Sequence, residues 1–327
     1  MKTTRSRFIA AIAFSLATAP FTSVMAQQAY PSKPIRLLVP LAAGSTADIL
    51  SRTIGAELAK ALGQPVVVDN KLGAGGTIAM AELARAPADG YTIAFASQGT
   101  LVFNQALYSN PGYDSLKDFA PIILVGGVSN VMIVPPNSPS NTVLDVVAAA
   151  KAKPDGMTFS SGGSGTSHHL SGVLFGQLTG NKLLHVPYKG APQGILAVMS
   201  GEVDMGFFNT PTVINQIKAG RLKGLAVTST TTSPLLPQLP TLDASVKGYE
   251  VNTWFGFVAP TGTPADVVTR LSTEIGKIMT QPATKEKLAA QGFELAPVQP
   301  PMALTKLIQD DLAKWPAIIK AAGAKVD

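Results

Sequence analysis

The chain has 327 residues, of which 46% are hydrophobic and 14% are charged, and its formal net charge is +6. This composition supports about two compact domains and excludes a disordered chain. Because the sequence contains no cysteine, it excludes disulfides, thiol chemistry and a lipid-modified cysteine anchor. Basic residues do not cluster with aromatic residues, so we expect no nucleic-acid partner.

The first 26 residues have the pattern of a secretory signal peptide. Three basic residues, Lys2, Arg5 and Arg7, precede an apolar run over residues 8–19, and a small-x-small site ends at Ala26. The apolar run is shorter than the roughly 20 residues that cross a bilayer. We therefore expect cleavage after residue 26 and a protein exported to the periplasm.

Short apolar strands alternate with helical patterns, as is typical of helices packed on a largely parallel sheet. The predicted strands are Ile35–Val39, Val66–Asp69, Met157–Ser161, Leu183–Tyr188, Val203–Phe208, Leu222–Thr228 and Val251–Val258. The predicted helices are Asp48–Leu62, Ser167–Leu178, Thr212–Ala219 and a mostly helical tail, Pro264–Asp327. The order strand, loop, helix, strand occurs twice, which suggests two lobes that face each other across a cleft.

Both repeated units place a loop rich in small and hydroxyl residues before their helix. We call Ala42–Asp48 the first loop and Ser161–Thr166 the second loop. The second loop lacks the lysine of a phosphate-binding P-loop, since Thr166 follows Gly165. The glycines of "LGAGG", residues 72–76, do not have the spacing of a dinucleotide-binding motif.

Two of the three histidines, His168 and His169, follow the second loop, but their pattern favours neither a hydrolase nor a metal site. The nucleophile turn of a serine hydrolase is Gly-x-Ser-x-Gly, and residues 162–166 lack its last glycine. Adjacent residues on a helix point roughly 100° apart, and no nearby acid completes a metal site. His185 lies in an apolar strand, where a hydrogen-bonded structural role is favoured.

Free backbone N–H groups and the positive end of the helix dipole make a helix N-terminus an anion-binding site. Two such loops could hold one small carboxylate without a lysine or arginine. The alternative is that Asp48, Thr166 and Ser167 only cap their helices, as such residues commonly do. The residues alone leave both interpretations open.

Six stretches, taken in this order, resemble the Bug family, the periplasmic substrate-binding proteins of tripartite tricarboxylate transporters. They are "YPSKPIRLLVP" (30–40), "GQPVVVDNKLGAGG" (63–76), "ADGYT" (88–92), "GSGTSHHL" (163–170), "HVPYKG" (185–190) and "TWFGFVAPTGTP" (253–264). The resemblance implies an α/β fold of the two-lobed periplasmic binding protein type, type II-like, in which mixed sheets are flanked by helices and the ligand cleft lies between the lobes. It implies residues 27–128 with 253–327 as lobe 1, residues 129–252 as lobe 2, and hinges near Val128–Met132 and Val251–Trp254.

In that family, backbone amides and ordered water bind a carboxylate at the loops after the first strand of each lobe. Carried over to this chain, the resemblance implies these ligand-binding residues: Leu41, Ala42, Ala43, Gly44, Ser45, Thr46, Asp48, Ser97, Gln98, Thr100, Ser161, Gly165, Thr166, His169, Phe208 and Asn209. His169, not His168, takes the family's histidine position.

The chain departs from the family pattern where the ligand is selected. Leu41, Ala43 and Ser45 stand where phenylalanine, proline and a second glycine are usual, and Phe208 stands where an aspartate is common. If Phe208 faces the cleft, an apolar or aromatic mono- or dicarboxylate is favoured over an amino acid; strand alternation equally allows it to face the core.

We therefore expect a monomeric solute-binding protein that delivers a small organic carboxylate to the membrane components of a tripartite tricarboxylate transporter. It is expected to have no catalytic residues, metal or cofactor. The alternatives are an exported serine hydrolase and a binding protein that serves a sensor system.

Overall fold

The computed structural model describes residues 30–321 and 324–326. The predicted signal peptide, residues 1–26, lies outside the described residues. Within the described part of the chain, no helix is both long and apolar enough to span a membrane.

Helices and strands alternate along the described chain, close to the predicted order. The strands are β1 (Ile35–Val39), β2 (Val66–Asn70), β3 (Thr92–Ser97), β4 (Phe119–Val134), β5 (Met157–Ser161), β6 (Leu183–Pro187), β7 (Met205–Asn209), β8 (Lys223–Val227), β9 (Asn252–Pro260) and β10 (Glu294–Leu295). The helices are α1 (Thr46–Leu62), α2 (Thr77–Ala84), α3 (Asn104–Leu107), α4 (Val143–Lys151), α5 (Ser167–Thr179), α6 (Ala191–Ser200), α7 (Thr210–Lys218), α8 (Ala265–Thr280), α9 (Pro282–Ala289) and α10 (Met302–Ala321). A π-helical turn, Gly99–Phe103, leads into α3.

The strands form two groups that the long strand β4 joins. In the first sheet, the order is β2, β1, β3, β9 and the first part of β4, with β10 on the other side of β4. In the second sheet, the last part of β4 is followed by β7, β5 and β6, and β8 also pairs with β4. The pairing of β4 changes between Ser129, opposite Asn252 of β9, and Asn130, opposite Asn209 of β7.

The two predicted repeat units occupy equivalent places in the two sheets. β1 pairs in parallel with β2 and β3, and β5 pairs in parallel with β6 and β7. Because the carboxyl ends of parallel strands lie at one edge of a sheet, the first and second loops both lie at such an edge. The helices α1 and α5 both end on a left-handed glycine, Gly63 after α1 and Gly180 after α5.

Candidate functional site

A small cavity lies between the two sheets, at the ends of β3 and β7 and beside the second loop. We call it the inner cavity; its volume is about 30 Å³. The inner cavity is lined by Leu41, Gly75, Ser97, Gly99, Thr100, Gly165, Thr166, Ser167, His168, Asn209, Thr253 and Phe255. Among these described residues none has a charged side chain; most of the lining is apolar, and the polar groups on it carry no formal charge.

A larger outer cavity of about 650 Å³ adjoins the inner cavity and shares Leu41 and Gly75 with it. Its wall is formed by both halves of the molecule, including Gly73 and Ala74 on one side and Gly163 and Lys189 on the other. The two sides touch between the cavities, where a Cβ placed on Gly75 would lie 2.2 Å from the carbonyl oxygen of Ser164. The structure is therefore a closed arrangement of the two sheets.

The second loop forms one wall of the inner cavity and starts α5. Thr166 is the N-cap of α5, since its side chain accepts a hydrogen bond from the N–H of His169 and donates one to the carbonyl of Gly163 at 2.7 Å. The helix geometry leaves the N–H groups of Ser167 and His168 without an intrahelical acceptor. The cavity thus meets the positive end of the α5 dipole.

His168 lies on this wall and joins the second loop to β7. Its Nδ1 accepts a hydrogen bond from the N–H of Gly162 at 3.2 Å, and its Nε2 lies 3.2 Å from Oδ1 of Asn209. Asn209 in turn donates to Oδ1 of Asn130 in β4. Burial lowers the pKa of His168 to about 4, so the ring is neutral at pH 7 and its Nε2–H donates to Asn209.

His169 lies behind the wall rather than on it. Its Nδ1 accepts a hydrogen bond from the N–H of Gly165 at 3.3 Å, and its ring stacks on His185 at 4.0 Å. Burial lowers its pKa to about 4. The structure therefore places His168, which the resemblance passes over, on the cavity, whereas His169 supports the backbone of the second loop.

The first loop, in contrast, contributes little to the inner cavity. Of the predicted residues around it, only Leu41 lines the wall. The side chain of Ser45 caps α1 by accepting from the N–H of Asp48 at 3.3 Å. The remaining predicted residues, Ala42, Ala43, Gly44 and Thr46, do not line it, and Ala42 and Gly44 lie opposite Gly190 and Pro192.

Asp48 is used within the first loop itself. Its carboxylate accepts hydrogen bonds from the N–H of Gly44 at 3.0 Å, from Nε of Arg52 at 2.9 Å and from Nδ2 of Asn70 at 3.0 Å. Burial raises the pKa of Asp48, but these hydrogen bonds outweigh burial and hold the pKa below its ordinary range. A carboxylate with these partners at the start of α1 opposes the binding of a second anion there.

The turn after β3 supplies the first sheet's main contribution to the lining of the inner cavity. Ser97 and Thr100, two of the predicted ligand-binding residues, line the cavity and bond to each other: Oγ1 of Thr100 accepts from the N–H of Ser97 at 3.0 Å. Gln98 points away from it and donates to Oδ2 of Asp311 in α10 at 2.8 Å. Two lining residues of β9, Thr253 and Phe255, were missed because the carried-over loops did not include this strand.

Phe208 lies in the core and not on the lining of the inner cavity, which is one of the two placements that strand alternation allows. All five residues of β7 are buried, and Phe208 is fully buried. Its ring packs against His168 at 4.8 Å between ring centres, whereas Phe207 packs on the opposite face against Phe175. Because helices cover both faces of this central strand, alternation along it does not separate a cavity face from a core face.

Ser161 and His185 make the closest approach to a hydrolase pair, with Oγ and Nε2 2.6 Å apart. Ser161 is fully buried and lies outside the lining of the inner cavity. Burial, with a smaller contribution from His169, lowers the pKa of His185 to about 3, which makes it a weak base. Within the described residues, no group of three or more His, Asp or Glu side chains could hold a metal ion.

Known proteins share this architecture. A family model described as "Tripartite tricarboxylate transporter family receptor" matches residues 50–324. The solved structure of an R. palustris protein with adipate has a TM-score of 0.88 and 34% identity, covering 91% of this chain and 100% of that chain. The periplasmic binding protein BugD has a TM-score of 0.86 and 34% identity, covering 90% and 99%. MatC from Rhodopseudomonas palustris with bound malate has a TM-score of 0.84 and 27% identity, covering 89% and 100%.

These similarities confirm the fold class, a two-lobed α/β binding protein with mixed sheets flanked by helices, and they confirm the resemblance to the Bug family. Proteins of this kind are periplasmic solute-binding receptors and not enzymes. The chain belongs to the tripartite tricarboxylate transporter receptor family.

Proposed function

We propose that the protein captures a small organic carboxylate in the inner cavity and delivers it to the membrane components of a tripartite tricarboxylate transporter. The observation that carries this proposal is the wall formed by Gly165, Thr166, Ser167 and His168. This wall offers a helix N-terminus with unused N–H groups and no acidic side chain, an environment that favours an anion. The adipate and malate of two related structures support the same ligand class.

We propose further that the two lobes open and close around this ligand. The inner cavity of about 30 Å³ has room for about one water molecule, so a carboxylate with a carbon chain requires the walls to separate. The lobes are proposed to consist of residues 27–128 with 253–327 and of residues 129–252. The change of β4 partners between Ser129 and Asn130 supports a hinge there.

The cavity also sets the expected preference among carboxylates. Since no acidic side chain lines it among the described residues, an ammonium group of a bound amino acid would lack an anionic partner. Mono- and dicarboxylates should therefore bind more tightly than aspartate or glutamate. We propose that the mature protein acts as an exported monomer in the periplasm, without a nucleic-acid partner or cofactor.

The test is isothermal titration calorimetry of the mature protein with adipate, malate, benzoate, citrate, glutamate and, as a cationic control, butylamine. A carboxylate that binds should also stabilise the protein by about 2.7 kcal/mol at 100 times its dissociation constant, measured by thermal unfolding. Binding of none of the carboxylates would contradict the proposal. Ester hydrolysis by the purified protein would instead support the hydrolase alternative.

A further inference from the structure

Thr253 lines the inner cavity and carries a buried hydroxyl group. It lies near the start of β9, opposite Val128 of β4, and lines the cavity with only 4% of its surface exposed. Its Oγ1 is fully buried and has no hydrogen-bond partner in the described part of the chain. A buried hydroxyl without a partner costs free energy, and most such groups in folded proteins are satisfied.

Three of the neighbouring polar side chains of the cavity wall, those of Thr166, Thr100 and Asn209, are already engaged. The hydroxyl of Thr166 donates to Gly163, that of Thr100 donates to the carbonyl of Ser97 at 3.1 Å, and the amide of Asn209 is held at both ends by His168 and Asn130. These bonds fix the shape of the wall without a ligand. Thr253 differs from them because its hydrogen bond remains to be made.

The position of Thr253 in β9 also suits a hydroxyl group that forms its hydrogen bond only when a ligand fills the cavity. The next residue, Trp254, donates from Nε1 to Oδ2 of Asp311 at 2.6 Å, and the same oxygen accepts from Nε2 of Gln98 at 2.8 Å. Asp311 of α10 therefore ties the start of β9 to the turn that carries Gly99 and Thr100. This anchoring holds the backbone that carries Thr253 in place before a ligand binds, so little conformational entropy of the strand is lost on binding.

We infer that Thr253 is a ligand-contacting, specificity-determining residue whose hydroxyl donates a hydrogen bond to a carboxylate oxygen in the inner cavity. The inference rests on the proposed function and deepens it by naming a side-chain donor on β9 opposite the backbone donors of α5. A hydroxyl that donates to a charged oxygen makes a stronger bond than one between neutral groups. A ligand without an acceptor at this position leaves the hydroxyl buried and unpaired.

The test compares Thr253→Val, which replaces the hydroxyl by a methyl group of similar size, with Thr253→Ser, which keeps it. Calorimetry uses whichever of adipate, malate and benzoate the wild-type protein binds most tightly. Thr253→Val should weaken binding about 10- to 100-fold, and Thr253→Ser should stay within about threefold of the wild type. Thr284→Val, at a threonine with 5% exposure that lies outside the cavity lining, should leave the affinity unchanged.

Unfolding in urea without ligand separates a binding role from a structural one. Since the wild-type hydroxyl is unpaired, Thr253→Val should leave the denaturation midpoint unchanged or raise it. Equal affinity of wild type and Thr253→Val, or a lowered midpoint with unchanged affinity, would overturn the assignment of Thr253 alone. If the wild-type protein binds no carboxylate of the full panel, the proposed function fails and the assignment fails with it; if it binds only citrate or glutamate, the same variants are compared with that acid.

Discussion

The first and second loops share one arrangement of hydrogen bonds at the start of a helix but differ in the charge of the group that accepts them. In each, a hydroxyl residue caps the helix, and the side chain three positions later accepts from the N–H of the glycine before the cap. These pairs are Asp48 with Gly44 and His169 with Gly165. The acceptor is a carboxylate in the first loop and a neutral imidazole in the second.

The residues around the two acceptors also differ in charge and polarity. Arg52, one turn after Asp48, neutralises the carboxylate, whereas Val173 stands at the equivalent position of α5. Asn70, which also donates to Asp48, pairs with Val39 at the end of β1; the equivalent partner of Ser161 is Pro187. The first loop is therefore electrostatically satisfied by its own residues, and the second leaves its helix dipole available to a ligand.

The strongest test of the comparison uses the two glycines before the caps. Gly44 has a φ of +78° and Gly165 a φ of +81°, so alanine strains both backbones by roughly 1–2 kcal/mol. A Cβ on Gly44 would lie 3.6 Å from Pro192, whereas one on Gly165 would lie 2.0 Å from Oδ1 of Asn104. Gly165→Ala should weaken carboxylate binding by about 100-fold or more, and Gly44→Ala by less than about threefold, measured by calorimetry.

Asn104 provides the control for this test, because it carries the oxygen that the new methyl group meets. Adding Asn104→Ala to Gly165→Ala should recover part of the lost affinity, while thermal unfolding shows that each variant is folded. Equal losses at Gly44 and Gly165 would mean that both loops contribute alike to the site.

Sequence reasoning recognised both loops because the cues for helix starts are local. A hydroxyl cap, a preceding glycine and an amphipathic helix occur within about twenty residues, and α1 and α5 begin within two residues of their predicted starts. These local cues do not show which loop is free to bind an anion, because the Asp48 carboxylate of the first loop accepts a hydrogen bond from Asn70, a residue of a different strand. The roles of Phe208 and Thr253 likewise depend on what covers β7 and β9, which is a tertiary property.

A second test places a carboxylate at position 169, the position of the second loop's acceptor that corresponds to Asp48 of the first. In His169→Asp the new carboxylate can accept from Gly165 as Asp48 does from Gly44, but Val173 and Pro187 supply no positive or amide partner. A like charge near a bound carboxylate costs on the order of 2 kcal/mol at an effective dielectric constant of about 20. Affinity should therefore fall about 30-fold by calorimetry.

His169→Asn is the matched control, since it keeps a hydrogen-bond acceptor for Gly165 without adding a charge. Its affinity should stay within about fivefold of the wild type. If His169→Asn and His169→Asp lose the same affinity, the position acts through shape and packing rather than through charge. Circular dichroism of both variants establishes that the fold is kept before the affinities are compared.

The prediction with the smallest expected effect concerns the pH range in which residues of each loop change the free energy of unfolding. All three histidines of the chain contact the second loop by hydrogen bonds, and the pKa of His168 is lowered by burial to about 4. An unfolded histidine has a pKa near 6.5, so below that pH the unfolded state binds a proton that the folded state does not. Stability is therefore lost as the pH falls from about 6.5 toward 4. For Asp48 the folded pKa is lowered, so its contribution is present above the unfolded value of about 3.9 and is lost only as the pH falls below it.

Urea unfolding at pH 7.0 and 5.5 measures the first of these windows. Between the two pH values, His168 alone should account for a loss of about 1 kcal/mol in the free energy of unfolding. In His168→Asn, which cannot titrate, the loss between pH 7.0 and 5.5 should be smaller than in the wild type by that amount, whatever the absolute stability of the variant. Asp48→Asn should leave this difference unchanged and alter the pH dependence only below about pH 4. An equal loss of unfolding free energy in the wild type and in His168→Asn would show that burial does not lower the pKa of His168. The contrast between a charged first loop and a neutral second loop would then depend on His169 alone.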